Sequence, residues 1–233
     1  MRFTRLIAGL TTAGLLGLAP VAISSPAEAA VTYTTSSSIA ASASQVIYGE
    51  DDLSINGAVL TAAGGSVYYG SVALQVYSAK NPVWTTIQTD DSAGSYFFFD
   101  IKPDSNSLYK VVYSGTTASN GDVYTPSESA PLAVGVQRKV VLKNPRGTLI
   151  KGKVTPDYGK KPIKVQKKVG KKWKKYKTFK TSKAGKYSFK LPAPRRGKWK
   201  WKITVKGDAS YTTWSTTGTT YSYRSVAPRV SVK

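Results

Sequence analysis

The sequence predicts an all-β protein, two β-sandwich domains in tandem behind an N-terminal signal peptide. Three observations lead there. Short runs of alternating apolar and polar residues are separated by Gly, Pro, Asn and Asp turn signals, at the spacing of a sandwich. The order of those runs recurs about ninety residues further along. The two copies carry opposite net charge. No window beyond the N-terminus holds a helical period. Tyr and Thr are abundant and Leu is scarce after the first twenty residues, which favours strands.

Residues 1–29 read as the signal peptide. Arg2 and Arg5 give a positive start, an apolar stretch broken by Thr11, Thr12 and glycines follows, and Ala27-Glu28-Ala29 forms a small-x-small cleavage pattern. Cleavage is expected after Ala29. A membrane-spanning helix needs about 20 strongly apolar residues, more than this broken run supplies. The chain has no Cys, which excludes disulfides, a thiolate nucleophile and lipidation at the cleavage site. With no second apolar segment and a polar 226–233 tail, the expected product is secreted, extracellular or cell-wall associated, without a membrane span.

Residues 30–44, rich in Ser, Thr and Ala, read as a flexible lead-in. The first domain is placed at 45–137. Its strands are expected near 53–59, 72–77, 83–89, 96–101 and 108–113, with turns at Asn81-Pro82, Asp91-Ser92-Ala93-Gly94 and Pro103-Asp104-Ser105-Asn106. The second domain, 138–225, repeats the order. Leu149 to Val154 matches the Gly57 strand, Ile163 to Gln166 matches Ala73 to Gln75, and Trp173 answers Trp84. Trp201 to Gly207 answers Tyr109 to Gly115. A repeat this long means a duplicated domain rather than a solenoid. Gly94 and Gly185 each follow an Ala and precede a strand, where a turn of positive φ requires Gly. The β-rich run across residues 131–142 implies a short, stiff junction.

A small residue and Gly before an apolar strand, then Val-x-Leu/Val-Gln, Trp, and Ala-Gly-x-Tyr/Phe-x-Phe, form a recurring pattern. It resembles the immunoglobulin-like repeats of secreted bacterial proteins, especially actinobacterial ones, over most of residues 45–225. The resemblance implies two tandem immunoglobulin-like β-sandwich domains and an extracellular setting, in which such repeats act as spacers or adhesion modules. It supplies no binding motif to place on this chain.

Charge is the most informative global feature. Residues 31–137 hold Lys80, Lys102 and Lys110 against nine Asp and Glu, a net −6. Residues 138–233 hold 29 Lys and Arg against Asp157 and Asp208, a net +27. Solubility asks for a net charge of roughly 2–8 in a small domain, and the excess costs stability through self-repulsion. Alternation places much of it on strand faces: Trp199, Trp201, Ile203 and Val205 share one parity, Lys198, Lys200 and Lys202 the other. The hairpin around Gly170 adds Lys167, Lys168, Lys171, Lys172, Lys174, Lys175 and Lys177. These ten lysines are the expected polyanion-binding residues. Lys in place of Arg points to point-charge contact with phosphate or carboxylate arrays, not base readout.

Catalysis is poorly provided for. The sequence has no His, so His-assisted nucleophilic chemistry is excluded. Asp157 and Asp208 fall in separate expected turns, short of the paired carboxylates that acid–base hydrolysis needs. Glu50-Asp51-Asp52 has oxygen ligands for Ca²⁺ but not the spacing of a known loop. The reading is therefore a non-enzymatic binding protein with no cofactor, no metal and no small-molecule substrate. Its expected partners are anionic cell-wall polymers or acidic glycans. An extracellular nucleic acid, or a spacer role with incidental charge, is the alternative. Trp199 and Trp201 are expected in the core, Trp84 and Trp173 in shared packing, and Tyr176 exposed.

Overall fold

The computed structural model describes residues 29–91 and 95–222. The expected signal peptide except Ala29, the turn residues Ser92 to Gly94, and everything from Tyr223 on, the 226–233 tail included, lie outside the described residues.

Strands and connecting turns make up the described chain, without a helix. The N-terminal sandwich opens with β1 (Thr32–Tyr33), β2 (Thr35–Ala41), β3 (Gln45–Ile47) and β4 (Leu53–Thr61). It continues through β5 (Val72–Ser78), β6 (Thr85–Asp90), β7 (Tyr96–Ile101) and β8 (Ser107–Tyr113). The short β9 (Thr116–Thr117), β10 (Val123–Tyr124) and β11 (Ser127–Glu128) lead to β12 (Leu132–Gln137). The C-terminal sandwich comprises β13 (Lys139–Arg146), β14 (Leu149–Thr155), β15 (Pro162–Val169), β16 (Lys172–Lys180), β17 (Lys186–Lys190), β18 (Gly197–Val205) and β19 (Trp214–Ser222).

In the first sandwich the sheet β2-β4-β7 faces the sheet β3-β12-β8-β5-β6. In the second, β13-β14-β17 faces β16-β15-β18-β19. The strand orders match, except that β3 has no counterpart. Both are immunoglobulin-like sandwiches. Period-two alternation builds their cores. Leu53, Ile55 and Val59 of β4 meet Val72, Leu74, Tyr96, Phe98 and Val111. Ile150 and Val154 of β14 meet Ile163, Val165, Tyr187, Phe189, Trp201, Ile203 and Val205.

The expected flexible lead-in is part of the fold. β2 pairs with β4 from Thr35↔Thr61 to Ala41↔Ile55, and β1 runs parallel to β10. Composition misled because this is an edge strand of small residues. Its inward hydroxyls are bonded: Thr35 Oγ1 donates to Thr125 O at 2.7 Å, and Thr35 Oγ1 and Ser37 Oγ each lie 2.8 Å from Ser127 Oγ. Ile39 and Ala41 pack on the core.

Gly185 turns the chain into β17 with φ +73°, and a Cβ there would stand 2.4 Å from Val154 O. The left-handed backbone and the close approach both demand Gly.

Arg138 alone separates β12 from β13. Its side chain is only 2 % exposed. Nη2 donates to Asp208 Oδ2 at 2.6 Å and Nε to Pro156 O at 3.0 Å. Nη1 has no hydrogen-bond partner. The guanidinium lies 4.1 Å from the Tyr211 ring centroid and 5.0 Å from that of Tyr158. Tyr211 belongs by sequence to the second repeat yet is buried in the first core. There its ring meets Tyr48 edge-on and its hydroxyl donates to Asp104 O at 2.9 Å. Asn106 ties the same loop down, its backbone N–H donating to Ser210 O and its side-chain amide to Ala209 O.

Two predictions follow from the junction. Tyr211→Ala should destabilise the first sandwich by roughly 3 kcal/mol, the cost of emptying a buried aromatic site. Urea unfolding followed at Trp84, the only Trp in residues 31–137, reads this directly; an unchanged Trp84 transition would remove Tyr211 from that core. The second concerns pH. Burial pushes the Asp208 carboxyl upward, but the hydrogen bonds and charges of Arg138 and Lys161 outweigh it and hold it below its ordinary value. A depressed folded pKa contributes stability that is fully present above the unfolded value, about 3.9, and is lost as pH falls through the folded pKa. Acid unfolding below about pH 4 should therefore include a step at this junction. Asp208→Asn should abolish that step and cost roughly 3 kcal/mol at neutral pH, by leaving Arg138 a buried unpaired charge.

Candidate polyanion-binding face

The face is built by β15, β16, β18 and β19. Ile163 and Val165 on β15, with Trp201, Ile203 and Val205 on β18, point into the core. The alternate residues lie on the outer face, Thr204 with its hydroxyl buried. Register then sorts these into rows across the sheet. Lys175, Gln166, Lys202 and Thr217 form one row. Trp173 stands opposite Lys168, and Lys200 opposite Thr219, in the next. Lys198 stands opposite Tyr221 beyond. Lys168, Trp173, Lys200, Thr217, Gly218 and Thr219 line one shallow recess of about 260 Å³.

Five of the ten expected lysines thus share the outer face: Lys168, Lys175, Lys198, Lys200 and Lys202. The other five do not. A bulge between Val165 and Gln166 gives β16 an extra residue at Tyr176 and shifts the parity. Lys167 and Lys174 face each other on the opposite side of the sheet, where Lys167 Nζ sits 3.1 Å from the Trp199 ring centroid. Lys177 pairs with Val165 and reaches over the Phe179 ring. Lys171 and Lys172 occupy the hairpin tip beside Gly170, whose φ is +58°. The ten expected lysines thus divide into one face, one tip and one inner row. The bulge in β16 leaves no mark in the sequence, whereas Lys167 shares the parity of Ile163 and Val165.

None of the ten pairs with a carboxylate among the described residues. The acids of this half lie at the junction. Asp208 takes Arg138 and Lys161, at 2.6 and 3.3 Å, and Asp157 lies 3.7 Å from Lys80 of the first sandwich.

Sequence reasoning missed a second basic surface. On the outer face of β13-β14-β17, Lys143 stands opposite Lys151 and Lys153 opposite Lys186. Like charges directly across a ladder destabilise it. Parity marks each of these lysines as outward, but only the register brings them face to face.

Trp199, Trp201 and Tyr176 lie as expected, while Trp84 and Trp173 do not. Trp201 is fully buried, its Nε1 donating to Thr220 Oγ1 at 2.8 Å, and Trp199 packs against the same core. Trp173, expected in the packing, is half-buried on the outer face with Lys168 Nζ 5.9 Å from its ring. Trp84 is likewise outside, between Tyr77 and Lys110. The repeat equivalence of the two Trp holds, but the position packs on the sheet surface. Tyr176 is 44 % exposed and meets Trp201 edge-on at 5.0 Å. The carboxylates of Glu50, Asp51 and Asp52 part to Lys139, the Ile47 N–H and Lys102, so they do not converge on one cation.

No family model and no curated protein matches the chain. Among solved structures it is similar to the human OSCAR ligand-binding domain, with 12 % identity over 76 % of this chain and 93 % of that one and a TM-score of 0.30. A tetra-tandem repeat in the extending region of a large adhesion protein shows 12 % identity and a TM-score of 0.30 over 81 % of this chain; the match covers 49 % of that one. The FN1–FN3 domains of chicken CNTN1 give 12 % identity and a TM-score of 0.30, covering 81 % of this chain and 66 % of theirs.

The two Trp environments separate by mutation. Trp201→Ala should cost roughly 3–5 kcal/mol and Trp173→Ala less than about 1 kcal/mol. Thermal unfolding of the two variants side by side measures the difference, and equal losses would return Trp173 to the core.

Proposed function

We propose that this is a secreted, non-enzymatic adhesion protein whose C-terminal sandwich binds anionic cell-wall polymers or acidic glycans through the outer face of β16-β15-β18-β19. One observation carries the reading: Lys168, Lys175, Lys198, Lys200 and Lys202 share a face on which no carboxylate among the described residues pairs with them. Along β18, alternate residues are spaced by about 6.6 Å, two strand rises. A flexible polymer with a charge at each repeat can lie along such a row. Its binding would relieve the self-repulsion of the domain and release condensed counterions. The recess adds an aromatic ring at Trp173 and hydroxyls at Thr217 and Thr219. Those groups suit a polymer that carries sugar as well as charge. Lysines on the hairpin tip and on the opposite sheet extend the attraction around the domain, which favours avidity over sequence-specific recognition.

The test changes Lys168, Lys175, Lys198, Lys200 and Lys202 together to Gln in the chain from Ala30 on. Binding to a wall polymer bearing phosphate is then measured over a range of salt. The variant should keep its fold, bind more weakly and show a shallower dependence of log affinity on log salt; each lost contact to duplex DNA would lower that slope by about 0.9. Unchanged affinity and slope would sink the reading. Retention on walls that salt reverses and nuclease does not would separate wall polymer from nucleic acid.

A further inference from the structure

A sandwich has two outer faces, and in the C-terminal one both are basic. The second is made by β13, β14 and β17, whose inward residues Val140, Leu142, Ile150, Val154, Tyr187 and Phe189 belong to the core. Register sets the alternate positions in rows on the other side. Val141, Lys153 and Lys186 form one row, and Lys143, Lys151 and Ser188 the next. Leu149 stands opposite Lys190 in a third. Lys143, Lys151, Lys153, Lys186 and Lys190 are all exposed. None of the five pairs with a carboxylate among the described residues.

The first sandwich shows that the fold does not require these charges. Ile39 and Tyr96 flank Gly57 as Leu142 and Tyr187 flank Gly152. Counted from those residues, the positions of the five lysines are held in the first repeat by Ala40, Asn56, Ala58, Ser95 and Phe99. An uncharged face therefore serves the same scaffold. In the second repeat Lys143 stands directly opposite Lys151, and Lys153 opposite Lys186, an arrangement that opposes pairing of the strands.

The two basic faces look in opposite directions. Facing sheets stand about 10 Å apart, and the lysines of each project away from the core. A short anion lying on one face does not reach the other. The face of β16-β15-β18-β19 is bordered on one side by β19, sequence WSTTGTTYS, which carries no charge. On its other side is β16, with five lysines.

We propose that the C-terminal sandwich is bivalent. The β13-β14-β17 face is a second site for a phosphate-bearing polymer, back to back with the first, and the domain cross-links two polymer strands. This rests on the polyanion-binding reading of the β16-β15-β18-β19 face and adds what one face cannot do. A strand bound on one side leaves the lysines of the other without counter-charge, so the self-repulsion there is relieved only by a second strand. A mesh joined at many such domains gains avidity at every junction.

The probe is a linear oligophosphate of about six phosphates, short enough for one face, where the seven residues of β14 span about 23 Å. Calorimetric titration of the chain from Ala30 on should give two oligomers per chain. Changing Lys143, Lys151, Lys153, Lys186 and Lys190 together to Gln should leave one, held by the first face. Changing Lys168, Lys175, Lys198, Lys200 and Lys202 instead should leave the other. Changing Lys160, Lys171, Lys172, Lys183 and Lys206, exposed lysines of turns, hairpin tip and the loop after β18, removes the same charge and should leave two. None of these side chains belongs to the core, and the unfolding temperature checks each fold. With long polymer in place of the oligomer, light scattering should pass through a maximum as protein is added, and each single-face variant should lose it. One oligomer per chain, unaffected by the β13-β14-β17 variant, would overturn bivalency and leave the first face as the site. One oligomer lost in both single-face variants would mean a single strand wrapped around β16. Equal loss in the turn-and-tip variant would reduce the effect to net charge. One oligomer lost only with the β13-β14-β17 lysines would overturn bivalency and the reading of the first face together.

Discussion

The buried cation at Arg138 is the constraint on which the arrangement depends. A guanidinium so deeply placed needs a carboxylate, and Asp208 supplies it. That requirement fixes the loop between β18 and β19 against the first sandwich and delivers Tyr211 into the first core. It also occupies one of only two acids in the basic half. The other, Asp157, faces Lys80 across the same junction, and Lys139 faces Glu50. The electrostatic neutralisation available to the second sandwich is thus concentrated where the two domains meet. Everything further out is left positive.

The second sandwich must then fold against its own charge. Its core explains how. Trp201, Phe189, Tyr187 and Ile203 bury large apolar surface, and the polar edges of these rings are bonded, Tyr187 to Val141 O and Trp201 to Thr220. Aromatic burial is the largest single favourable contribution per residue in such a core. Lysine stems also cover apolar surface, and Lys167 sets its ammonium over the Trp199 ring. Cross-strand pairs such as Lys143–Lys151 and Lys153–Lys186 still oppose folding. A multivalent anion of the kind proposed above would relieve that opposition.

Much of this architecture is legible in the sequence because alternation is a local signal. The parity of Trp201, Ile203 and Val205 against Lys198, Lys200 and Lys202 gives both the core and the basic face. Gly185 announces its turn through backbone chemistry. What alternation cannot carry is register. The bulge at Tyr176 puts Lys174 on the inner side and Lys175 on the outer, and nothing in a run of lysines marks where it falls. Edge strands are equally hard to read. β2 is Ser- and Thr-rich because an edge needs little apolar surface, and composition alone makes it look like a linker. Tyr211 is a third kind of difficulty. Its partners Asp104 and Tyr48 are more than a hundred residues away, so no window of sequence contains them.

The duplication shows where such a fold is free to change. Core positions of the two repeats answer one another strand by strand, because each must fill the same space between two sheets. The perimeter is under no such rule. The first repeat closes its seam with β3 and holds its edges in short strands. The second carries lysine at many outward positions of β14 to β18 and has no counterpart of β3. Charge of one sign on those faces raises the local concentration of anions at long range, with little discrimination among them.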